Sequence, residues 1–227
     1  MIPLPLYPID HHFQAMETLE KEPLPKELAR KNRIFSKGEL CLYRGKGIEK
    51  LVTLRVKGLH MYHYDFGIAY PPAEVDAPLF MYQVIVAPKR ALALVHYPHW
   101  DIASLADRPG LRALFIQEKE YKELFIKDFK PQEFLTGDVI ANEFNGLVRT
   151  TDVDKVYQGV TALFKVWHRE LEQSKAFLSE EALDCAMTWK KDFTQRFYQK
   201  DYGYTATKRY LGERWAKKAF EEVLFTL

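Results

Sequence analysis

Apolar and polar residues alternate most densely between positions 40 and 97. Leu40-Cys41-Leu42-Tyr43-Arg44 and Lys50-Leu51-Val52-Thr53-Leu54-Arg55-Val56 carry the β-branched and aromatic content of strands, and glycine closes each. Leu59 to Tyr70 follows. A period of two there puts Tyr62, Tyr64, Phe66 and Ile68 on one face and His63, Asp65 and Gly67 on the other. Phe80 to Val86 and Ala91 to Tyr97 are two further strand-like runs, and the Ala-Pro-Lys-Arg break between them predicts a hairpin.

Helical spacing dominates the flanks. Ile9 to Glu20 predicts a short helix capped by Asp10, and Asp107-Arg108-Pro109 opens another that runs to about Lys127. Asp138 to Arg149 reads as one more strand. Thr150-Thr151-Asp152 then precedes a long helix with Val153, Val156, Tyr157, Val160, Phe164, Trp167 and Leu171 on one stripe. A second long helix opens at Ser179, with Glu180 and Glu181 near its positive end, and runs to about Lys200. Asp201 to Tyr204 reads as a loop, and Thr205 opens a last helix. Strands clustered in the middle with short turns, and long helices outside them, predict an α+β domain: a three-layer α/β/α sandwich around an antiparallel sheet, with residues 1–227 as one unit.

Composition narrows the function classes. A chain of 227 residues with 47% hydrophobic and 28% charged residues is large enough to bury a full core. Its net charge of +2 gives nucleic-acid binding no global support. No run approaches the roughly 20 apolar residues of a membrane span. The proline-broken start, Met1 to Pro8, lacks the basic region of a signal peptide. Cys41 and Cys185 stand far apart, which suits the cytosol and suggests neither a disulfide framework nor zinc.

Familiar chemical motifs are missing. No GxGxxG follows a strand, and there is no phosphate-binding P-loop and no GxSxG. His96 and His99 stand three apart across a proline with no third ligand evident, so a structural or surface role is favoured over a metal. What remains are lone polar residues in apolar settings. Gln83 interrupts the Phe80 to Val86 run; periodicity alone favours an exposed half of an edge strand, whereas burial would demand partners. Asp201 ends a long helix, where the dipole disfavours a negative charge; it is either a solvated loop residue or an acid retained for chemistry. Arg149 sits between a strand and a helix, where a surface ion pair is the plain alternative.

Tyr70-Pro71-Pro72-Ala73-Glu74-Val75-Asp76-Ala77-Pro78-Leu79-Phe80, then Leu147-Val148-Arg149-Thr150 before the long helix, then Tyr210-Leu211-Gly212-Glu213-Arg214-Trp215-Ala216 occur in an order that resembles the ferredoxin-dependent bilin reductases and their relative, red chlorophyll catabolite reductase. The resemblance runs from about Lys50 to the end, and in it the Tyr210 block looks like the final helix. It implies an α/β/α sandwich that binds biliverdin or a related bilin between sheet and C-terminal helices. It also implies no flavin, nicotinamide or metal cofactor, electrons from reduced ferredoxin, a monomer, and a cytoplasmic or plastid location. Asp201 matches the family's proton donor, and Arg149 falls where an arginine pairs with a propionate. Gln83 falls where the family has an acid, Phe66 where some members have histidine, and Leu54 where another acid stands. Tyr62, Tyr64, Phe66, Met81 and Ile85 are the expected lining. Lys208, Arg209, Arg214, Lys217 and Lys218 are candidates for docking acidic ferredoxin. Gln83 and Phe66 in place of the expected groups leave a second expectation open, a bilin-binding protein without catalysis.

Overall fold

The computed structural model describes residues 19–58, 62–140, 142–177 and 179–226. Its centre is an antiparallel sheet of nine strands: β1 Leu19–Glu22, β2 Arg30–Arg33, β3 Ser36–Gly45, β4 Ile48–Lys57, β5 His63–Tyr70, β6 Phe80–Val86, β7 Ala91–His96, β8 Phe125–Asp128 and β9 Asn145–Val148. The spatial order is β1-β3-β4-β5-β6-β7-β9-β8, and β2 shares the outer edge of β3 with β1. The register carries rows across the sheet: Leu54 opposes Phe66, Phe66 opposes Gln83, Gln83 opposes Leu94, and Leu94 opposes Asn145. Strands β3 to β7 cover the apolar and aromatic runs of the sequence, and β5 and β6 are buried on both faces between the helical layers.

Between the strands and after them come α1 Lys26–Ala29, α2 Ile102–Ala106, α3 Pro109–Lys119, α4 Val153–Gln173, α5 Glu180–Lys200, α6 Tyr202–Leu211 and α7 Glu213–Lys218, followed by a π-helical turn at Ala219–Leu224. One face of the sheet packs on α4, whose buried Val156, Tyr157, Val160, Leu163, Phe164, Trp167 and Leu171 form the stripe its periodicity predicts. Trp167 Nε1 donates to Pro78 O at 2.9 Å, tying α4 to the proline-rich segment before β6. The opposite face packs on the C-terminal helices through Phe193, Phe197, Leu211, Trp215 and Phe220. Tyr70 Oη donates to Leu224 O at 2.8 Å, and Lys50 Nζ reaches the carbonyls of Val223 and Thr226, so the chain end is pinned to β4 and β5. The layering is the α/β/α sandwich with a central antiparallel sheet that the order of elements predicts.

Several expectations are corrected. Residues 9–18 of the first predicted helix lie outside the described residues, and Leu19–Glu22 is a strand because it pairs with the β3 edge. The helix from Pro109 stops at Lys119; Phe125 to Asp128 pairs with β9 instead. Only Asn145 to Val148 of the predicted 138–149 strand is extended in the sheet. Ser179 does cap α5, its Oγ accepting from Ala182 N at 3.1 Å. The stretch after Asp201 is helix rather than loop, and the final helix is not continuous. Gly212, at φ 95°, stands between α6 and α7 in a conformation that only glycine adopts without cost.

Candidate functional site

Gln83 is the one strongly polar residue of β6, and β6 lies between β5 and β7 in the middle of the sheet. The residue is 4% exposed, which overturns the edge-strand reading favoured by periodicity. A buried amide requires a partner, and it has one 118 residues away: Gln83 Nε2 donates to Asp201 Oδ2 at 3.0 Å. Asp201 is also buried, at 4% exposed. It ends α5 and at once caps α6, accepting from Gly203 N at 2.7 Å through Oδ1. The unfavourable C-terminal dipole of α5 is thus offset by the N-terminal one of α6, which explains how an acid can stand there.

Tyr64 completes the cluster. Its buried hydroxyl approaches the Asp201 carboxylate closely, although its geometry falls short of a full hydrogen bond among the described residues. Burial first, and then the Asp201 charge, holds the Tyr64 phenol protonated well above the ordinary tyrosine range. Burial likewise raises the pKa of Asp201, while hydrogen bonds from Gln83 and Gly203 and the nearby Tyr64 pull the other way without reversing it. A Cβ on Gly203 would overlap the Tyr64 hydroxyl and come within 2.5 Å of Asp201 Oδ1, so the glycine is what lets α6 begin this close to β5.

Beside this cluster the sheet face changes character. Phe66 is fully buried under Phe197 and Phe225, with ring centroids 5.6 and 6.3 Å away. Met81 is buried too and opposes His96, whose Nδ1 has no partner among the described residues. One row along from Gln83, in contrast, Ile85, Leu92 and Leu147 oppose one another and are only half-buried. They form an apolar strip that runs from Tyr64 and Gln83 toward the β9 side. A flat hydrophobic surface ending at a buried acid and an amide can seat a planar apolar molecule and exchange protons or hydrogen bonds with its edge.

The structure therefore brings together Gln83, Asp201 and Tyr64, sets Phe66 and Ile85 beside them, and leaves Met81 in the closed core. Arg149 stands apart. It is exposed just after β9, in no ion pair among the described residues, and about 13 Å along the strand from Asn145 in the Gln83 row. His63 and Asp65 face the other way, as alternation requires: Asp65 accepts from Arg55 Nε at 3.0 Å and from the hydroxyl of Tyr157 on α4. Of the docking candidates, Lys208 and Arg209 lie on α6, whereas Arg214, Lys217 and Lys218 lie on α7. No sequence pattern marks Leu92 or Leu147 as lining residues, and for Gly203 the Asp-x-Gly spacing at 201–203 is the available signal.

Asp76, in the proline-rich block, has a structural role. It accepts from Trp100 Nε1 at 2.9 Å and from Arg108 Nη2 at 2.5 Å, and it meets His99 Nε2 at 3.0 Å. Burial pushes its carboxyl upward, but these hydrogen bonds win and hold it well below the usual range. His99 and Trp100 thus serve this knot, and no cluster of three or more metal-ligating side chains is found among the described residues.

No protein-family model matches the chain, and no curated protein matches it in sequence. Its structure is similar to that of phytochromobilin synthase from tomato in complex with biliverdin, with a TM-score of 0.78 and 16% identity over 96% of this chain and 81% of that one. At that identity the likeness is one of fold.

Proposed function

We propose that this protein reduces a linear tetrapyrrole of the biliverdin class, with electrons delivered by reduced ferredoxin rather than by a cofactor of its own. The observation that carries the proposal is the buried Gln83–Asp201 pair at the end of a half-open apolar strip. The fold shared with a biliverdin-bound phytochromobilin synthase supports it. Each reduction adds two electrons and two protons to a carbon–carbon double bond of the bilin, and the protein's task is to place the bilin and supply protons.

In this reading the bilin lies over the half-buried Ile85, Leu92 and Leu147, with Tyr64 and Gln83 at the end of that strip, and one propionate reaches Arg149. Asp201 gives a proton to the singly reduced bilin, and burial, which raises its pKa, favours the neutral, proton-carrying form of the carboxyl. Gln83 cannot donate a proton in acid–base chemistry. Its amide can instead follow the state of Asp201: Nε2 donates to the ionised carboxylate, and after rotation Oε1 accepts from the neutral acid. That exchange holds the Asp201 side chain in place through both states.

A second reading, bilin binding without turnover, is favoured by one specific observation. The Leu54–Phe66–Gln83 row contains no titratable side chain, so Asp201 is the one acid met by this row among the described residues. Titrating the protein with biliverdin and then adding reduced ferredoxin without oxygen separates the two. Reduction shows as loss of the bound biliverdin spectrum and growth of a blue-shifted product, whereas binding alone leaves the bound spectrum unchanged. Absence of any spectral response to biliverdin would defeat both.

A further inference from the structure

The β2–β3 hairpin carries a feature that the bilin site does not use. At its apex Ile34 is 91% and Phe35 66% exposed, two large apolar side chains side by side in water. The eight residues Arg30 to Lys37 include four cations and no acid, in a chain whose net charge is only +2. Of these cations only Arg30 has an ion-pair partner among the described residues, Glu39 at 3.3 Å. Ser36 Oγ donates to Tyr210 O at 2.6 Å, which brings the end of α6, with exposed Lys208 and Arg209, against the same hairpin.

We propose that this hairpin is a membrane-surface contact that inserts Ile34 and Phe35 into an anionic lipid interface. The order of groups in depth decides between a lipid surface and an acidic protein. Arg33 pairs with Ser36, Asn32 with Lys37, and Lys31 with Gly38, so the cations stand behind the apex on successive rungs. At the strand rise this places Arg33, Lys37 and Lys31 about 3, 7 and 10 Å behind the apolar tip. The headgroup layer of a bilayer is on the order of 5–8 Å deep, so an apex at the hydrocarbon boundary puts these cations among the phosphates. A protein interface needs roughly 800 Å² of complementary surface per partner with an apolar centre, and a convex tip of two side chains does not supply that. A lipid surface makes no demand of shape. Two signals, here an apolar tip and a basic patch, are also what holding a protein stably at a membrane surface takes. Among the described residues no helix is long and apolar enough to cross a membrane, and this contact needs none.

Sedimentation with phosphatidylcholine vesicles, with and without phosphatidylglycerol, tests the proposal independently of the bilin site. The intact protein should bind the anionic vesicles, and binding should weaken as salt is raised. The double variant Ile34→Ser/Phe35→Ser should bind about tenfold less or weaker still, with its circular dichroism unchanged. Failure of the intact protein to bind anionic vesicles, or equal binding by the double variant, overturns it. So does a tip variant that keeps vesicle binding but loses interaction with reduced ferredoxin, which would make the hairpin a protein contact.

Discussion

Gln83 on the central strand β6 and Asp201 at the α5–α6 junction are 118 residues apart in sequence and joined by a 3.0 Å hydrogen bond in the buried layer between sheet and helices. The bond lowers the Asp201 pKa against the upward push of burial. Gln83→Leu should therefore raise that pKa further and move the descending limb of the pH–rate profile to higher pH. It should also slow turnover by roughly 10–100-fold through loss of positioning. A pH profile of biliverdin reduction checks both; an unmoved limb would show that Gln83 does not act on Asp201.

Gly203→Ala introduces a methyl group where Tyr64 and Asp201 already meet. Overpacking of this kind costs about 1–3 kcal/mol. Urea unfolding should show that loss, and biliverdin affinity should fall with it because α6 is displaced from β5.

On the other face, Tyr157 of α4 donates to the buried carboxylate of Asp65, which also accepts from Arg55. Tyr157→Phe should cost about 1.5–3 kcal/mol, the range for a hydrogen bond to a charged group, without changing the pH profile of turnover. Denaturant unfolding measures the first effect and steady-state kinetics the second.

His96 is 2% exposed, and burial lowers its pKa to about 4. The unfolded value is about 6.5, so the unfolded chain takes up the proton first and stability falls as pH drops from 6.5 toward 4. The loss is about 2 kcal/mol by pH 5. Glu118, pushed up to about 7 mainly by burial, has the opposite sign between 4.5 and 7, so the difference between variant and parent is the useful quantity. His96→Leu should flatten the acid side of the stability profile by that amount, as measured by urea unfolding at pH 5 and pH 7.

The parts legible in the sequence are those set by local periodicity. Alternation over β5 correctly separates Tyr64 and Phe66 from His63 and Asp65, and the 3.6-residue stripe of α4 is buried as its spacing predicts. Gln83 shows where periodicity ends. A polar residue in a strand looks the same at an edge as in the middle, and only the sheet order reveals that β5 and β7 enclose it. Asp201 is a related case: seen as the end of α5 it sits badly against a dipole, and only the immediate start of α6 resolves this. Leu19 to Glu22 and Phe125 to Asp128 became strands by pairing with distant edges, which no local pattern encodes.

The most direct test of the account is anaerobic reaction of biliverdin-loaded protein with reduced ferredoxin, followed by absorbance in parallel for the parent protein and Asp201→Asn. The parent should convert biliverdin to a blue-shifted reduced bilin. The variant should bind biliverdin with similar affinity, accept an electron and form that product about a hundredfold more slowly. Equal rates for the two proteins would contradict Asp201 as the proton donor, and no reaction in the parent despite tight binding would contradict reduction itself.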